Sequence, residues 1–199
     1  MPLVTPVPRP KSRALLIGTR QYRSEQWNAI AAGVTAEIEL ATDIFRRRLE
    51  YDNWVVEYAD GDSSLRRAVS DWAHRPGQGT DDVNVLYYTG HGYTSQAGQL
   101  RLITSDIEPG REHTAIAATE IIGWLEPLVG SALVILDTCY SGAVAADALQ
   151  LLARQAANVP GGARIQFITS ARPIEEARPG WFMLRRSGSR RIFCSSLRE

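Results

Sequence analysis

Short apolar runs that each stop at a glycine or a polar turn constrain the fold of this chain more than any other feature. Runs of this length suit strands that are buried on both faces of a parallel sheet. Segments whose apolar residues have helical spacing separate these runs. The alternation predicts an α/β fold, a three-layer sandwich with a mostly parallel central sheet. The predicted strands cover residues 14–18, 54–58, 83–88, 133–137 and 165–168, and the predicted helices cover residues 35–49, 65–72, 119–125 and 143–157.

The chain length of 199 residues predicts one domain with tails. Residues 1–12 form a proline-rich lead-in, residues 13–177 the α/β domain, and residues 178–199 an irregular tail rich in arginine and serine. Within the domain, a hairpin is predicted over residues 99–116. The short region after the fifth strand leaves three interpretations open: a fragment, a shortened gene product, or a protein that completes its fold with a partner.

Composition excludes several classes of function. Lys+Arg and Asp+Glu number 22 each, so the net charge is zero and no basic excess is present to bind nucleic acid. The aliphatic runs reach about five residues, far below the roughly 20 that a membrane helix needs, and no apolar signal segment begins the chain. The two cysteines cannot form a disulfide framework. We therefore expect a cytoplasmic protein that binds neither nucleic acid nor a membrane.

Two reactive side chains follow predicted strands, where parallel sheets place their ligands. His91 lies between two glycines after the third strand, and Cys139 lies in a polar turn after the fourth. The glycines leave room around the imidazole and free the Gly92 N–H to face a developing oxyanion. A thiol at a strand-to-helix turn lies near the N-terminus of the helix, which lowers the pKa of the thiol and stabilises the thiolate. An imidazole within reach makes this thiol a nucleophile. The alternatives are a locally hydrogen-bonded loop histidine and a small buried cysteine.

The sequence around this pair resembles a known family. His91 and Cys139 are 48 residues apart, close to the separation of about 50 in caspases. Caspases have Gln-Ala before the cysteine, whereas Asp137 two residues before it and Ser-Gly just after it resemble the metacaspases and bacterial orthocaspases. The resemblance covers roughly residues 13 to 177. Further matches lie at residues 14–18 (Ala-Leu-Leu-Ile-Gly), 87–92 (Tyr-Tyr-Thr-Gly-His-Gly) and 168–171 (Ile-Thr-Ser-Ala).

The resemblance implies a caspase-hemoglobinase fold, with a six-stranded sheet flanked by helices, and a role for each matching residue. His91 is similar to the general base and acid, and Cys139 to the nucleophile. The backbone N–H groups of Gly92 and Cys139 match the oxyanion hole. Asp137, helped by Thr89, is similar to the acid that lines a pocket for Arg or Lys before the scissile bond. A pocket carboxylate also favours a basic side chain on electrostatic grounds alone.

Two points about this pocket stay open in the sequence. Asp137 could instead cap the next helix, as strand-end aspartates often do. The family usually has a second pocket acid in an Asn-Asp pair at the start of its first helix. Here that region holds Glu37 within residues 35–39, with Asp43 a turn later, and neither is assigned to the pocket.

The leading functional hypothesis is a cysteine endopeptidase with a Cys/His dyad that cleaves proteins or peptides after Arg or Lys. The alternative is a caspase-like interaction module with little catalysis, whose partner protein completes or regulates the domain. Asp137 argues against a third reading, an Asp-specific peptidase, because the pocket would carry the wrong charge.

No cofactor is expected to be required. His74 and His113 show no metal-ligand spacing with Cys139, so no metal site is predicted. The resemblance leaves calcium activation open, together with self-cleavage in the segment 154–164.

Overall fold

The computed structural model describes residues 11–51, 53–59, 61–95, 97–138, 164–169 and 193–194. The strands are β1 (Ser12–Gly18), β2 (Asn53–Tyr58), β3 (Val83–Gly90), β4 (Gly92–Thr94), β5 (Leu100–Leu102), β6 (Ile116–Ala117), β7 (Ser131–Thr138), β8 (Arg164–Thr169) and β9 (Phe193–Cys194). The helices are α1 (Ala31–Asp43), α2 (Asp62–Ala73) and α3 (Glu120–Trp124), with 3-10 turns at Glu25–Ile30 and Glu112–Thr114 and a π turn at Ile44–Arg48.

The central sheet has the strand order β2-β1-β3-β7-β8-β9. The first five strands in this order are parallel, and the two-residue β9 pairs antiparallel with β8. The predicted α/β fold with a mostly parallel sheet is therefore confirmed. The apolar runs account for it, since β1, β3 and β7 are buried along nearly their whole length by layers on both faces.

Helices cover the two faces of the sheet. Alternate residues of each strand point to opposite faces, so one face of β1 presents Ala14 and Leu16 while the other presents Leu15 and Ile17. The first face packs against α1, and the second packs against α2 and α3. None of the helices in the described part of the chain is both long and apolar enough to span a membrane.

The structure differs from the sequence prediction beside β3. Where one hairpin over residues 99–116 was predicted, β4, β5 and β6 form a three-stranded antiparallel sheet. The three-residue β4 is too short to show an alternating pattern, so the sequence did not indicate it. It begins directly after His91.

Some predictions fall on residues that the structure does not describe. They are most of the lead-in, the helix predicted over residues 143–157, and most of the tail. Within that tail, Phe193–Cys194 pairs with Thr169 and Ile168 at the edge of β8. This short strand gives the sheet the six strands that the family resemblance implies.

Candidate active site

The carboxyl ends of neighbouring strands bring the predicted pocket residues together. Thr89 at the end of β3 is the direct partner of Asp137 at the end of β7, and on its other side it pairs with Gly18 of β1. Tyr87 precedes Thr89 by two residues and packs on the α1 face of the sheet. By the two-residue period of a strand, Thr89 lies on that same face.

Two buried carboxyl groups meet these strand ends; we call Glu37 and Asp137 the pocket acids. Thr89 donates its hydroxyl hydrogen bond to Glu37 Oε2. Tyr87 donates its own to Asp137 Oδ2 over 3.0 Å. Both pocket acids are only 5% exposed. The sequence left Glu37 unassigned, and the structure places it against Thr89, the residue that the resemblance gives to the pocket.

Close packing of α1 on β1 brings Glu37 to this position. A Cβ atom on Gly18 would lie 2.8 Å from Val34 Cγ1 and 3.1 Å from Ile38 Cγ1. Only a glycine at the end of β1 therefore lets these two α1 residues approach so closely. Glu37 immediately precedes Ile38, so the same contact sets its distance from the sheet.

Burial disfavours a negative charge on Glu37. Desolvation, reinforced by the charge of Asp137, raises the pKa of Glu37 from 4.5 to about 7, against the lowering effect of the Thr89 hydrogen bond. The second carboxyl oxygen, Oε1, is buried without a hydrogen-bond partner among the described residues. Burial, reinforced by the charges of the same two acids, raises the pKa of Tyr87, so its hydroxyl remains a donor.

Asp82, at the opposite end of the sheet, shows how this fold satisfies a structural buried carboxylate. Burial alone would raise the pKa of Asp82, but N–H groups of Gly79 and Lys11 and the nearby Arg13 guanidinium lower it. The distance from Arg13 Nη2 to Asp82 Oδ2 is 3.7 Å. Glu37 forms no such ion pair with any described residue.

His91 is fixed at its backbone and at one ring nitrogen. Its N–H donates to the Tyr22 hydroxyl at 3.0 Å, and its carbonyl accepts from the Ile103 N–H at 3.0 Å. The Nε2 atom lies 2.9 Å from the carbonyl oxygen of Trp27. Because a carbonyl only accepts, this contact assigns the ring proton to Nε2 and leaves Nδ1 as the basic nitrogen.

The environment of His91 keeps its ring neutral. Burial lowers the pKa of His91 below 6.5, and the hydrogen bond to the Trp27 carbonyl opposes this only in part. At pH 7 the imidazole is therefore mostly in its neutral form, which is the form that a general base needs.

The remaining predicted site residues are placed less completely. Gly92 is the first residue of β4 and is half-buried. Cys139 lies outside the described residues, and β7 ends at Thr138 directly before it. Sequence reasoning missed Tyr22, Trp27 and Tyr87. The strand period could have found Tyr87, whereas a contact made by a backbone carbonyl has no side-chain signature.

No metal centre is formed in the part of the chain that the structure describes. There, the His, Cys, Asp and Glu side chains make no group of three that could hold an ion.

Fold and site together define an α/β protein with an oriented neutral histidine and buried acids at the carboxyl edge of a parallel sheet. The chain belongs to the caspase family: the peptidase C14 family model, the caspase domain, matches residues 11–181. Membership confirms the resemblance seen in the sequence and indicates a cysteine peptidase acting on proteins or peptides. The chain matches no curated protein.

A solved structure of a protein from Geobacter sulfurreducens has a similar fold. The TM-score is 0.57 at 18% sequence identity, over 86% of this chain and 76% of that one. At this identity the likeness concerns the fold alone.

Proposed function

We propose that this protein is a cysteine endopeptidase in which His91 and Cys139 form the dyad and that it cleaves after Arg or Lys. The observation that carries the specificity is Glu37, buried beside Asp137, with one carboxyl oxygen that lacks a partner among the described residues. Family membership supports the chemistry, and the tautomer of His91 supports its role as base.

In the first half of the proposed reaction, Nδ1 of His91 takes the thiol proton of Cys139. The thiolate sulfur attacks the scissile carbonyl carbon, and the π electrons move to the oxygen. The backbone N–H groups of Gly92 and Cys139 stabilise this oxyanion. The C–N bond then breaks while the Nδ1 proton passes to the leaving amine, which leaves a thioester on Cys139.

In the second half, a water molecule attacks: its oxygen bonds to the thioester carbon while Nδ1 of His91 takes one of its protons. The tetrahedral intermediate collapses, the C–S bond breaks, and the proton returns to the sulfur of Cys139. The acid product leaves and the enzyme is restored. The Trp27 carbonyl keeps Nε2 protonated in both halves, so the same nitrogen serves as base and as acid.

The pocket acids explain the proposed preference for a basic residue before the scissile bond. A guanidinium or ammonium group between Glu37 and Asp137 would satisfy the unpartnered Oε1 and offset negative charge that is otherwise buried there. An aspartate there would add a third carboxylate to a desolvated site, at a cost of several kcal/mol (roughly, from like charges brought together). Thr89 and Tyr87 contribute by holding one oxygen of each acid.

A series of fluorogenic peptides that differ only before the scissile bond tests this proposal. Arg and Lys should exceed citrulline, the neutral isostere of arginine, by at least about 30-fold in kcat/KM, because charge pairing in a buried site is worth roughly 2–5 kcal/mol. The Asp peptide should not be cleaved. Each assay is run once with calcium and once with a chelator. The proposed steps need no metal, so turnover is expected with the chelator. If calcium activates the enzyme, turnover will be faster with calcium.

Equal cleavage of the Arg and citrulline peptides would contradict a pocket that selects positive charge. Cleavage of the Asp peptide would show that the site accepts the opposite charge. A folded protein that cleaves none of them, in calcium or chelator, would favour the interaction module instead.

A further inference from the structure

The segment from Tyr22 to Asn28, which we call the histidine clamp, is closed into a loop by one side chain. Asn28 Oδ1 accepts the N–H of Tyr22 at 2.8 Å, and Asn28 Nδ2 donates to the carbonyl of Tyr22 at 3.1 Å. Inside the loop, the Trp27 N–H donates to the Ser24 carbonyl at 3.1 Å. The two bonds of Asn28 therefore fix the distance between the two ends of the clamp.

Both ends of the clamp contact His91. At one end, the Tyr22 hydroxyl donates to the Thr19 carbonyl at 2.8 Å and accepts the His91 N–H at 3.0 Å. At the other end, the Trp27 carbonyl accepts from His91 Nε2 at 2.9 Å. The Tyr22 ring also packs edge-on against the imidazole, with 5.1 Å between centroids.

The clamp is itself fastened to the domain. The Arg23 N–H donates to the Ser105 carbonyl at 3.0 Å. Tyr22 packs in a small buried cluster with Ile103 and Ile107, against which the Trp27 ring also lies. The Tyr22 end is thus held by packing and by hydrogen bonds. The 3-10 turn Glu25–Ile30 orients the Trp27 carbonyl locally, and the bonds of Asn28 link that turn to the Tyr22 end.

We propose that Asn28 is a positioning residue for catalysis, because its bonds to Tyr22 hold the Trp27 carbonyl where it fixes the tautomer and the orientation of His91. This inference rests on the proposed peptidase function. Neutral imidazole in water carries its proton on either nitrogen, and only the Nε2–H form offers Nδ1 to the thiol. Opening the clamp removes that selection without touching substrate.

The proposal predicts a specific kinetic signature. Substrate binding depends on the pocket acids on α1 and β7, whereas both hydrogen bonds of the Asn28 side chain go to the Tyr22 backbone. The fraction of His91 in the productive state enters the chemical steps instead. Loss of the Asn28 side chain should therefore lower kcat and leave KM nearly unchanged, whereas a general loosening of the fold would change both.

The test compares Asn28→Ala, Asn28→Asp and Gln21→Ala in hydrolysis of the Arg peptide. Asn28→Ala should lower kcat at least about tenfold with KM within about twofold. An even mixture of tautomers costs only about twofold, so most of this loss comes from the orientation of the ring. Asn28→Asp keeps the acceptor for the Tyr22 N–H and loses the donor, so its kcat should lie between. Gln21→Ala is the control, because its exposed side chain lies just outside the clamp and bonds to no described residue; it should match wild type.

A second measurement determines the tautomer of His91 and requires no catalytic turnover. The chain has three histidines, and His74 and His113 are exposed, so ring ¹⁵N resonances of His91 can be assigned by a His91→Gln variant. Wild type should show one neutral tautomer, protonated at Nε2, and Asn28→Ala should show a mixture. A folded Asn28→Ala protein with wild-type kcat and one tautomer would overturn the proposal. If wild type cleaves nothing, the proposed function fails while the tautomer measurement still decides the role of Asn28.

Discussion

Replacing Asp137 with asparagine should lower kcat/KM for peptides ending in arginine by at least about 30-fold, since removing one partner of a buried charge pair costs roughly 2–5 kcal/mol. The amide keeps an oxygen in place, so Tyr87 can still donate the hydrogen bond that now reaches Asp137 Oδ2 over 3.0 Å. We therefore expect the variant to fold, with the loss confined to recognition of the cation.

Two controls separate charge from structure in this experiment. Asp81→Asn removes an exposed carboxylate just before β3, at the opposite end of the strand, and should leave kinetics unchanged. The citrulline peptide should lose little on going from wild type to Asp137→Asn, so the preference for arginine over citrulline should collapse. If Asp137→Asn keeps the full preference for arginine over citrulline, Asp137 does not line the pocket.

The second large effect concerns stability, and it comes from Glu37. Folding raises the pKa of Glu37 from 4.5 to about 7, so the folded chain holds this proton more tightly than the unfolded chain. The resulting stabilisation is fully present below pH 4.5 and is lost as the pH rises through about 7. At roughly 1.4 kcal/mol per pKa unit, the loss is about 3 kcal/mol.

Glu37→Gln should therefore be more stable than wild type at pH 8, by up to about 3 kcal/mol, and no more stable at pH 4. Urea unfolding at the two pH values measures this difference. Glu39→Gln, an exposed position on the same helix, should show no such dependence. Equal stability of Glu37→Gln and wild type at both pH values would show that Glu37 is not held in the uncharged form.

The same substitution should weaken substrate binding at high pH. In wild type, Glu37 gains its charge as the pH rises through about 7, so KM for the Arg peptide should fall between pH 6 and pH 8. In Glu37→Gln that change should be absent. A site that binds better while the empty protein becomes less stable is typical of a pocket selected for its ligand.

The sequence predicted the parallel sheet because β1, β3 and β7 are buried on both faces, which makes their apolar runs continuous. The family resemblance implied that Thr89 and Asp137 share a pocket, and in the structure the two residues are partners at the ends of β3 and β7. Glu37 could not be assigned, because its place depends on how far α1 approaches β1. That distance is set at Gly18, by contacts across elements distant in sequence.

The orientation of His91 could not be predicted from the sequence, for a different reason. The Trp27 backbone carbonyl bonds the ring at Nε2, and the Tyr22 hydroxyl accepts the backbone N–H of His91. A carbonyl is present at every residue, so no residue type marks the one that matters. The flanking glycines indicated only that the histidine had room.

Turnover of an Arg-ending fluorogenic peptide by wild type and by Cys139→Ala, in samples matched for folding, tests the central claim most directly. We expect hydrolysis by wild type and a loss of at least about 1,000-fold in Cys139→Ala, because the proposed mechanism takes its nucleophile from Cys139. Cys194→Ala is the matched control and should keep wild-type activity. Hydrolysis that survives Cys139→Ala would contradict the dyad. Loss of activity in Cys194→Ala alone would show that Cys194, and not Cys139, supplies the nucleophile.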